Sequence, residues 1–598
     1  MEQISKKVKI KQLVEIIGLL IVLVCIGCSI KMEIVGRTLW LDEAMLAISF
    51  NTRSFFRLFQ PPLAWNQSAP VGYLFVVKVI TSICGNAEWV YRLFSVIAYI
   101  ALLCVFYVLC EQIVNAQYPM LCTAGVANVA ILLEYSNMFK PYIVDALCVL
   151  LVILVYNKYR KKKWNVVKLS IAFAILIWCS NPVAFMSGGV VATEVLTGII
   201  KKDKKRTLYG MIIGASIVAS FLIMYILWLA PTISGTNLSQ FWEGYQFPLL
   251  WTNRQIVQQA LLAIKTVCVG IGPAWKIILL LDGIGIVMNI IWKKNEYVWS
   301  IIMAMGITLI ASNRGFFPMS DRLFLFCVPV LILLGYISVH WIIELIVKVE
   351  MQKWIALLMV GCFTLSGQGI LKYHTGEAYI EGEEANEALD YIESNINVND
   401  KLYVYYPAIP IFMYRLGYDT TSVCGYDNNV ILGKDYFYEE NQNTEDIELL
   451  SEQNGVYLLF SHVVDYQPTD NLMNVLNAQG SLEKIKDKYL FYYSSDKSNF
   501  QGKFSYEIVG QEMKGNTCTL QVRINNDGDT YLNNGYENYV FGVDSEDSVA
   551  IDDLEPGESK EITISFLWDE QSEVELQLYN VGKYAMEEVG VNPLVIKR

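Results

Sequence analysis

Charged side chains are scarce in this sequence. Asp, Glu, Lys and Arg make up 17% of the 598 residues, whereas 54% of the residues are hydrophobic. A typical soluble domain has about 25% charged residues, and the mean hydropathy here is positive, at +0.37. The shortage of charge excludes an ordinary soluble enzyme, and the apolar content excludes disordered and collagen-like chains.

The charges that are present change sign along the chain. Residues 373–598 contain 14 Lys and Arg against 41 Asp and Glu, a net charge of −27, whereas residues 1–372 contain 32 against 17, a net charge of +15. A basic, apolar half joined to an acidic half indicates a polytopic membrane protein. The acidic half is also an implausible partner for nucleic acid.

Histidine and paired cysteine are scarce as well. The sequence has three histidines and no H-E-x-x-H motif, which argues against a zinc hydrolase. Eleven of the 13 cysteines lie in the apolar half, where a cysteine behaves as a small buried hydrophobe. Cys25 and Cys28 have C-x-x-C spacing but lie inside an apolar run. We therefore expect no disulfide framework and no metal or redox centre built from cysteine.

Long apolar runs are what the sequence does have, and most are long enough to cross a bilayer. We count eleven: Leu13–Ile30, Val90–Cys110, Pro119–Tyr135, Pro141–Tyr156, Val166–Ser180, Val183–Ile200, Leu208–Leu229, Ile277–Trp292, Tyr297–Ala311, Leu323–Trp341 and Trp354–Leu371. Two further stretches, Val71–Cys84 and Ile256–Ile271, are shorter or have a lysine in the middle, Lys78 and Lys265. We expect these two to lie at the membrane interface.

Basic clusters orient the predicted spans. They are Lys6–Lys11, Lys158–Lys163, Lys201–Arg206, Lys293–Lys294 and Lys348–Lys353. Basic residues collect on the cytoplasmic side of a membrane, and eleven crossings put all five clusters there. Val71–Cys84 and Ile256–Ile271 are assigned to the interface partly because each pair of neighbouring basic clusters is then separated by an even number of spans. The N-terminus is then cytoplasmic, and everything after Lys372 is extracytoplasmic.

The acidic half divides into two predicted domains. Residues 373–503 alternate helix and strand patterns, typical of a small α/β domain: Glu384–Ile396, Leu402–Tyr406, Ile409–Leu416 and Val456–Phe460. Residues 504–598 have strand patterns only, which predict a β-sandwich: Thr517–Ile524, Tyr539–Val543, Glu561–Trp568 and Glu573–Tyr579. The predicted architecture is a polytopic α-helical membrane domain over residues 1–372 followed by these two domains.

Asp42 and Glu43 follow the first predicted span, in the segment Trp40-Leu-Asp-Glu-Ala. Two adjacent carboxylates just outside a bilayer are costly to keep near lipid and are often functional. The alternative is a solvated helix start, where acidic side chains are favourable at the positive end of the helix dipole.

Further polar and aromatic residues fall in loops that this topology puts on the same outer face. The cations are Arg92 at the mouth of the second span, Lys140, and Arg322 at the head of the tenth span. The candidate substrate-binding residues are Gln67, Tyr142, and Trp242 in the aromatic loop Pro231–Arg254. Each cation alone is more typical of an anchor whose charge reaches the headgroups than of a ligand. Carboxylates and several cations on one leaflet together indicate a site for a phosphate-bearing lipid.

These motifs, in this order, resemble the C-type glycosyltransferase superfamily over roughly residues 1–345. The set consists of D-E after the first span, Q-x-x-P before an interfacial helix, E-x-x-x-R-L, Y-S-x-x-x-K-P-Y and P-x-x-x-R-x-F. The branch it resembles most is that of protein O-mannosyltransferases and aminoarabinose transferases. The sequence departs from the pattern at Gln67-Ser-Ala-Pro, where many members have a His-Pro-Pro or Lys-Pro-like element.

The resemblance implies transfer of a sugar from a polyprenyl phosphate, outside the cytoplasm and without a nucleotide. It implies that Asp42, with Glu43 beside it, is the catalytic acidic residue and that Lys140 is the basic residue of the second outer loop. The same roles fit the chemistry. A departing phosphate monoester needs cationic stabilisation, which Lys140, Arg92 or Arg322 can supply. An acceptor hydroxyl needs a base, which Asp42 or Glu43 can supply.

Several points stay open at this stage. One base without a second catalytic carboxylate implies single displacement with inversion. No cofactor is required, although a divalent metal at Asp42 and Glu43 is compatible with the sequence. The acceptor can be a glycan, a lipid or a protein. The other readings are a surface receptor or assembly protein for glycans and a transporter, for which the expected broken helices are not evident.

Overall fold

The structure is a computed structural model, and it describes residues 2–34, 38–234, 242, 244–248, 254–375, 385–396, 400–416, 429–434, 444–451, 453–461, 472, 476, 480–486, 489–495, 503–528, 532, 539–544, 547–552, 554–555, 557–568, 573–580, 584–585 and 591–597. Trp251 of the aromatic loop, Cys424 and His462 lie outside the described residues. The chain divides into two compact units. The first is Met1–Arg37 with Met45–Ile380, and the second is Thr38–Ala44 with Glu381–Arg598.

Helices make up most of the first unit, and one of them begins with four residues, Leu41–Ala44, that belong to the second unit. The helices are α1 (Glu2–Ile34), α2 (Leu41–Thr52), α3 (Val71–Cys84), α4 (Glu88–Leu109), α5 (Pro119–Ala127), α6 (Ala130–Tyr135), α7 (Tyr142–Arg160), α8 (Val166–Cys179), α9 (Val183–Ile200), α10 (Lys204–Met224), α11 (Ala230–Ser234), α12 (Arg254–Val269), α13 (Trp275–Met288), α14 (Glu296–Asn313), α15 (Cys327–Ile346), α16 (Val349–Ser366) and α17 (Gly369–Thr375). Single π-helical turns continue α4, α10 and α13 at Cys110–Val114, Tyr225–Leu229 and Asn289–Lys293.

Each predicted span overlaps helix in the structure, although Pro119–Tyr135 and Trp354–Leu371 are each interrupted and Leu323–Trp341 becomes helical only at Cys327. Within the described residues, eight helices are long and apolar enough to cross a membrane. The other three predicted spans are the pair α5 and α6, the 14-residue α8, and α14. The prediction of a mostly helical, multi-pass membrane protein with sheets in its C-terminal part is confirmed. The number of crossings and the orientation of the termini stay predictions.

One predicted span, Pro119–Tyr135, is broken at Asn128. The Asn128 amide donates to Thr364 O at 3.0 Å and to Gly367 O at 2.8 Å, and its oxygen accepts from Ile370 N at 2.9 Å. Gly369 N also donates to Asn128 O at 2.8 Å. The break between α5 and α6 therefore lies against the break between α16 and α17, and the two satisfy each other's exposed backbone groups. The apolar sequence of Pro119–Tyr135 did not predict this interruption.

An ion-pair cluster joins four helices on the side predicted to be cytoplasmic. It consists of Arg160, Glu194, Lys201, Arg206 and Glu296. Arg206 pairs with Glu194 at 2.6 Å and with Glu296 at 2.7 Å, and Arg160 pairs with Glu296 at 2.6 Å. Burial alone would raise the pKa of Glu296, but the hydrogen bond from Arg206 and the charges of Arg160, Arg206 and Lys201 hold that pKa below its ordinary value.

The second unit contains a mixed sheet with helices. Strands β1 (Lys401–Val404), β2 (Val430–Leu432), β3 (Asn454–Leu459), β4 (Ser481–Lys486) and β5 (Leu490–Ser494) are ordered β2-β1-β3-β5-β4. Strand β1 is parallel to β2 and β3, whereas β5 is antiparallel to β3 and β4. The helices of this region are α18 (Asn386–Asn395), α19 (Ile409–Leu416) and α20 (Thr444–Ser451).

The C-terminal strands form two antiparallel sheets with one hydrophobic core. Their bounds are β6 (Phe504–Lys514), β7 (Thr517–Asn526), β8 (Tyr539–Gly542), β9 (Ser548–Ala550), β10 (Ser559–Leu567), β11 (Glu573–Asn580), β12 (Tyr584–Ala585) and β13 (Leu594–Lys597). One sheet has the order β10-β7-β6 and the other β12-β11-β8-β9, with β13 beside β11. Side chains of β7, β8, β10 and β11 meet in the core around Trp568. The domain limits at 372 and 503 stay predictions.

Candidate active site

Asp42 and Glu43 lie in the first turn of α2, but their surroundings differ. The Glu43 side chain is fully buried, and its carboxylate accepts a hydrogen bond from Trp40 N at 3.0 Å. Trp40 is the residue before the helix, so Glu43 reaches back to the helix start as an acidic residue does in a capping box. Asp42 is partly exposed. Glu43 therefore caps the start of α2, but it is buried rather than solvated as the helix-start alternative assumed, and the assignment of Asp42 as the base stays a prediction.

The body of α2 packs into an aromatic cluster. The Phe50 ring lies 5.8 Å from that of Tyr91 and 5.3 Å from that of Phe139, and the Tyr91 and Phe139 centroids are 4.8 Å apart. The Tyr91 hydroxyl also donates to Asn51 Oδ1 at 2.7 Å. These contacts fix α2 against α4 and against the residue that precedes Lys140.

Lys140 and Gln67 are in direct contact. The Lys140 side chain is buried, at 4% exposure, and its ammonium donates to Gln67 Oε1 at 2.6 Å. Gln67 Nε2 in turn donates to Met45 Sδ at 3.3 Å. Met45 lies on α2, the helix whose first turn carries Asp42. The departure from the family pattern at Gln67 thus lies beside the predicted phosphate-binding lysine.

The segment that carries Lys140 is held in place by its neighbours. Ser136 Oγ and Ser29 Oγ are 2.7 Å apart, and the Asn137 amide donates to Ser29 O at 3.1 Å. On the other side, Ser95 Oγ donates to Met138 O at 2.6 Å. The loop is consequently a fixed part of the membrane unit rather than a free surface loop.

Arg92 lies on the face of α4 that meets this loop. It is one of the largest fully buried side chains, at 1% exposure. Ser95, three residues further on, bonds to Met138, and Tyr91 packs on Phe139. A buried guanidinium keeps its charge at any physiological pH. Arg92 and Lys140 therefore put two buried positive charges around one short segment.

Arg322 belongs to a separate aromatic group. Its guanidinium lies 5.5 Å from the ring centroid of Trp242, and the Trp242 and Tyr245 rings are 5.3 Å apart. Met319 N donates to Tyr245 O at 2.8 Å, which joins two loops that are predicted to lie on the outer face. Trp242, which is predicted to bind substrate, presents a ring face to Arg322.

Tyr142 lies two residues after Lys140, at the start of α7. Its ring packs edge-to-face on Tyr135, with centroids 5.3 Å apart. Tyr135 and Tyr142 flank the segment that carries Lys140, so their ring contact holds the two ends of that segment together.

Side chains that could bind a metal ion are few around Asp42 and Glu43 among the described residues. Among the described residues there is no group of three His, Cys, Asp or Glu side chains that could hold a metal ion. Asp42 and Glu43 alone would supply two carboxylates, and that of Glu43 already accepts a backbone hydrogen bond. We therefore assign no step to a metal.

Comparison with known proteins gives structural matches only. No protein-family model and no curated protein matches the chain. ArnT from Cupriavidus metallidurans in the apo state aligns with a TM-score of 0.48 and 11% identity, over 80% of this chain and 98% of ArnT. ArnT bound to undecaprenyl phosphate aligns with the same TM-score and identity, over 80% of this chain and 97% of the other.

A third match is the Archaeoglobus fulgidus oligosaccharyltransferase tethered with an acceptor peptide that contains the NVT sequon. It aligns with a TM-score of 0.49 and 10% identity, over 80% of this chain and 74% of that chain. ArnT and the oligosaccharyltransferase are both C-type glycosyltransferases.

Proposed function

We propose that this protein is a membrane glycosyltransferase that moves a sugar from a polyprenyl phosphate to an acceptor hydroxyl at the outer face of the membrane. The observation that supports it best is the hydrogen-bonded pair of Lys140 and Gln67, in contact with Met45 on the helix whose first turn carries Asp42. The ordered motifs of residues 1–345 point to the same reaction.

The proposed step is a single displacement. The acceptor oxygen bonds to the anomeric carbon while the bond from that carbon to the phosphate oxygen breaks, so the configuration inverts. Asp42 takes the acceptor proton, and the polyprenyl phosphate leaves with the bonding electrons. The leaving group is a stable anion, so the step needs positive charge beside the phosphate rather than a general acid.

Lys140 and Arg92 are the proposed source of that positive charge. Both are buried, so their interaction with a phosphate is less weakened by water than at a protein surface. Arg322, stacked on Trp242, is assigned to the rim of the same site. Tyr142 and Gln67 are assigned to substrate contact, Gln67 through the amide that already orients Lys140.

Two substitutions separate the proposed roles. Asp42→Asn should lower turnover by about 10²–10⁴, the usual contribution of proton transfer to a base, with donor binding retained. Lys140→Ala should lower turnover and also weaken donor binding by about 10- to 100-fold, because a hydrogen bond to a charged group contributes ~1.5–3 kcal/mol. The measurements are release of polyprenyl phosphate and binding of a polyprenyl-phosphate sugar by the purified protein.

Lys265→Ala is the matched control, because Lys265 is exposed on α12 and has no proposed role. It should match the wild type in both measurements. Full activity of Asp42→Asn, with Lys140→Ala also unaffected, would place the active site elsewhere and end this proposal.

A further inference from the structure

Lys78 is a charged residue in the middle of an otherwise apolar helix, and it touches the helix that carries the proposed base. We propose that Lys78 is a positioning residue: it caps the C-terminal end of α2 and so sets the position of Asp42. Its effect on catalysis rests on the proposed function, whereas the cap itself does not.

The cap is formed by two hydrogen bonds. The Lys78 ammonium donates to Phe50 O at 2.7 Å and to Arg53 O at 3.3 Å. The last carbonyls of a helix have no partner within the helix, and α2 ends at Thr52. A cation at this end also interacts favourably with the negative end of the helix dipole. The ammonium additionally lies 5.7 Å from the centroid of the Phe50 ring.

The position of Lys78 has an energetic cost that a cap offsets. Burial lowers the pKa of Lys78, since the charged form loses hydration. The neighbouring helix positions Leu74 and Val77 are fully buried. An apolar residue at this position would avoid the cost of desolvating the ammonium. The lysine offsets that cost through its hydrogen bonds to α2.

Lys78 completes a three-point attachment of α2 to the segment that follows it. At the beginning of the helix, Met45 Sδ accepts from Gln67 Nε2 at 3.3 Å. In the middle, Ser49 Oγ accepts from Ala64 N at 3.0 Å. At the end, Phe50 O accepts from Lys78. A 12-residue helix is about 18 Å long and moves as a rod, so release of its end displaces its first turn as well.

The kinetic test compares Lys78→Met with Lys78→Arg. Methionine keeps a flexible apolar stem but removes the donor, whereas arginine keeps the donors. Lys78→Met should lower kcat by about 10- to 100-fold, the effect of a small displacement of a catalytic group. Its KM for the polyprenyl-phosphate donor should stay within about twofold, because Lys140 and Arg92 are untouched. Lys78→Arg should recover most of kcat, and Lys265→Met should match the wild type.

A second measurement does not depend on activity. Amide hydrogen exchange in residues 46–54 should be faster in Lys78→Met and in Lys78→Gln than in the wild type, and unchanged in Lys265→Met. Unchanged exchange in both Lys78 variants would overturn the cap. Faster exchange with wild-type kcat would overturn the positioning role.

The activity of Asp42→Asn distinguishes failure of the proposed function from failure of the cap. Should Asp42→Asn keep full activity, α2 does not carry the base. Faster exchange in the Lys78 variants would then still establish the cap.

Discussion

At the scale of single residues, Asp42 and Glu43 are two adjacent carboxylates with different surroundings. Glu43 is buried and accepts from Trp40 N, whereas Asp42 is partly exposed one turn before Met45. The sequence alone could not separate them, because both are acidic residues at a helix start. The separation comes from which side of the first helical turn faces the protein interior.

We expect Glu43→Gln to keep turnover within about threefold of the wild type, because the amide oxygen can still accept from Trp40 N. Glu43→Ala should lower thermal stability, since loss of a helix cap costs about 1 kcal/mol. Turnover and thermal unfolding of the purified variants test both statements. If Glu43→Gln were as inactive as Asp42→Asn, Glu43 would be the base or would share that role.

Other site residues show where prediction from sequence stops. Lys140 and Arg322 were both predicted to bind the donor phosphate, on the basis of charge and predicted side of the membrane. The structure pairs Lys140 with Gln67, 73 residues away in the sequence, and Arg322 with Trp242. Pairings of this kind depend on tertiary packing, which leaves no periodic signal in the sequence.

At the scale of elements, the apolar runs predicted the helices well because a membrane helix must satisfy its own backbone. Interruptions were harder to predict. Asn128 breaks one run, and its partner Gly367 lies 239 residues further along the chain. Lys78 was read as a reason for α3 to stay at the interface, but its contact with Phe50 O was not foreseen.

The ion-pair cluster gives a pH prediction at this scale. The pKa of Glu296 is lowered in the folded state, so its ionised form stabilises the fold above the ordinary carboxyl pKa of about 4.3. That contribution is lost as the pH falls through the lower, folded value. The difference in unfolding free energy between the wild type and Glu296→Gln should therefore be constant from about pH 7 to pH 5 and shrink at lower pH.

Glu344→Gln is the control for this measurement. Glu344 also pairs with a lysine, Lys293, but its side chain is 55% exposed. An exposed pair contributes little to stability, so Glu344→Gln should differ little from the wild type at any pH. A stability difference for Glu296→Gln that does not change between pH 7 and pH 3 would contradict the role of its charge.

At the scale of the whole molecule, the structure bears on the alternative functions. A transporter was expected to have broken helices, and the part of the chain that the structure describes includes breaks at Asn128 and at Gly367. These breaks bond to each other, so their backbone groups are already satisfied. A receptor is separated from a transferase by Asp42→Asn, which should leave a receptor's function unchanged.

The C-terminal domain gives a further prediction at this scale. Its hydrophobic core is built from residues between Cys518 and Ile596. Truncation after Lys503 should therefore leave turnover with a small soluble acceptor analogue within about twofold of the full chain. The measurement is product formation by the truncated and full-length proteins at equal expression, and complete loss of turnover would show that residues 504–598 take part in the reaction.

The ion-pair cluster also has a consequence for how the chain enters the bilayer during synthesis. A charged side chain near the centre of an inserting helix costs about 2.5–3.5 kcal/mol. Glu194 on α9 bonds to Arg206 at the start of α10, only 12 residues further on. The negative charge can thus be neutralised within one helical hairpin, and α9 should insert more efficiently with α10 attached than alone. An insertion assay on both segments, repeated with Arg206→Leu, measures that difference, and Arg206→Leu should remove most of it.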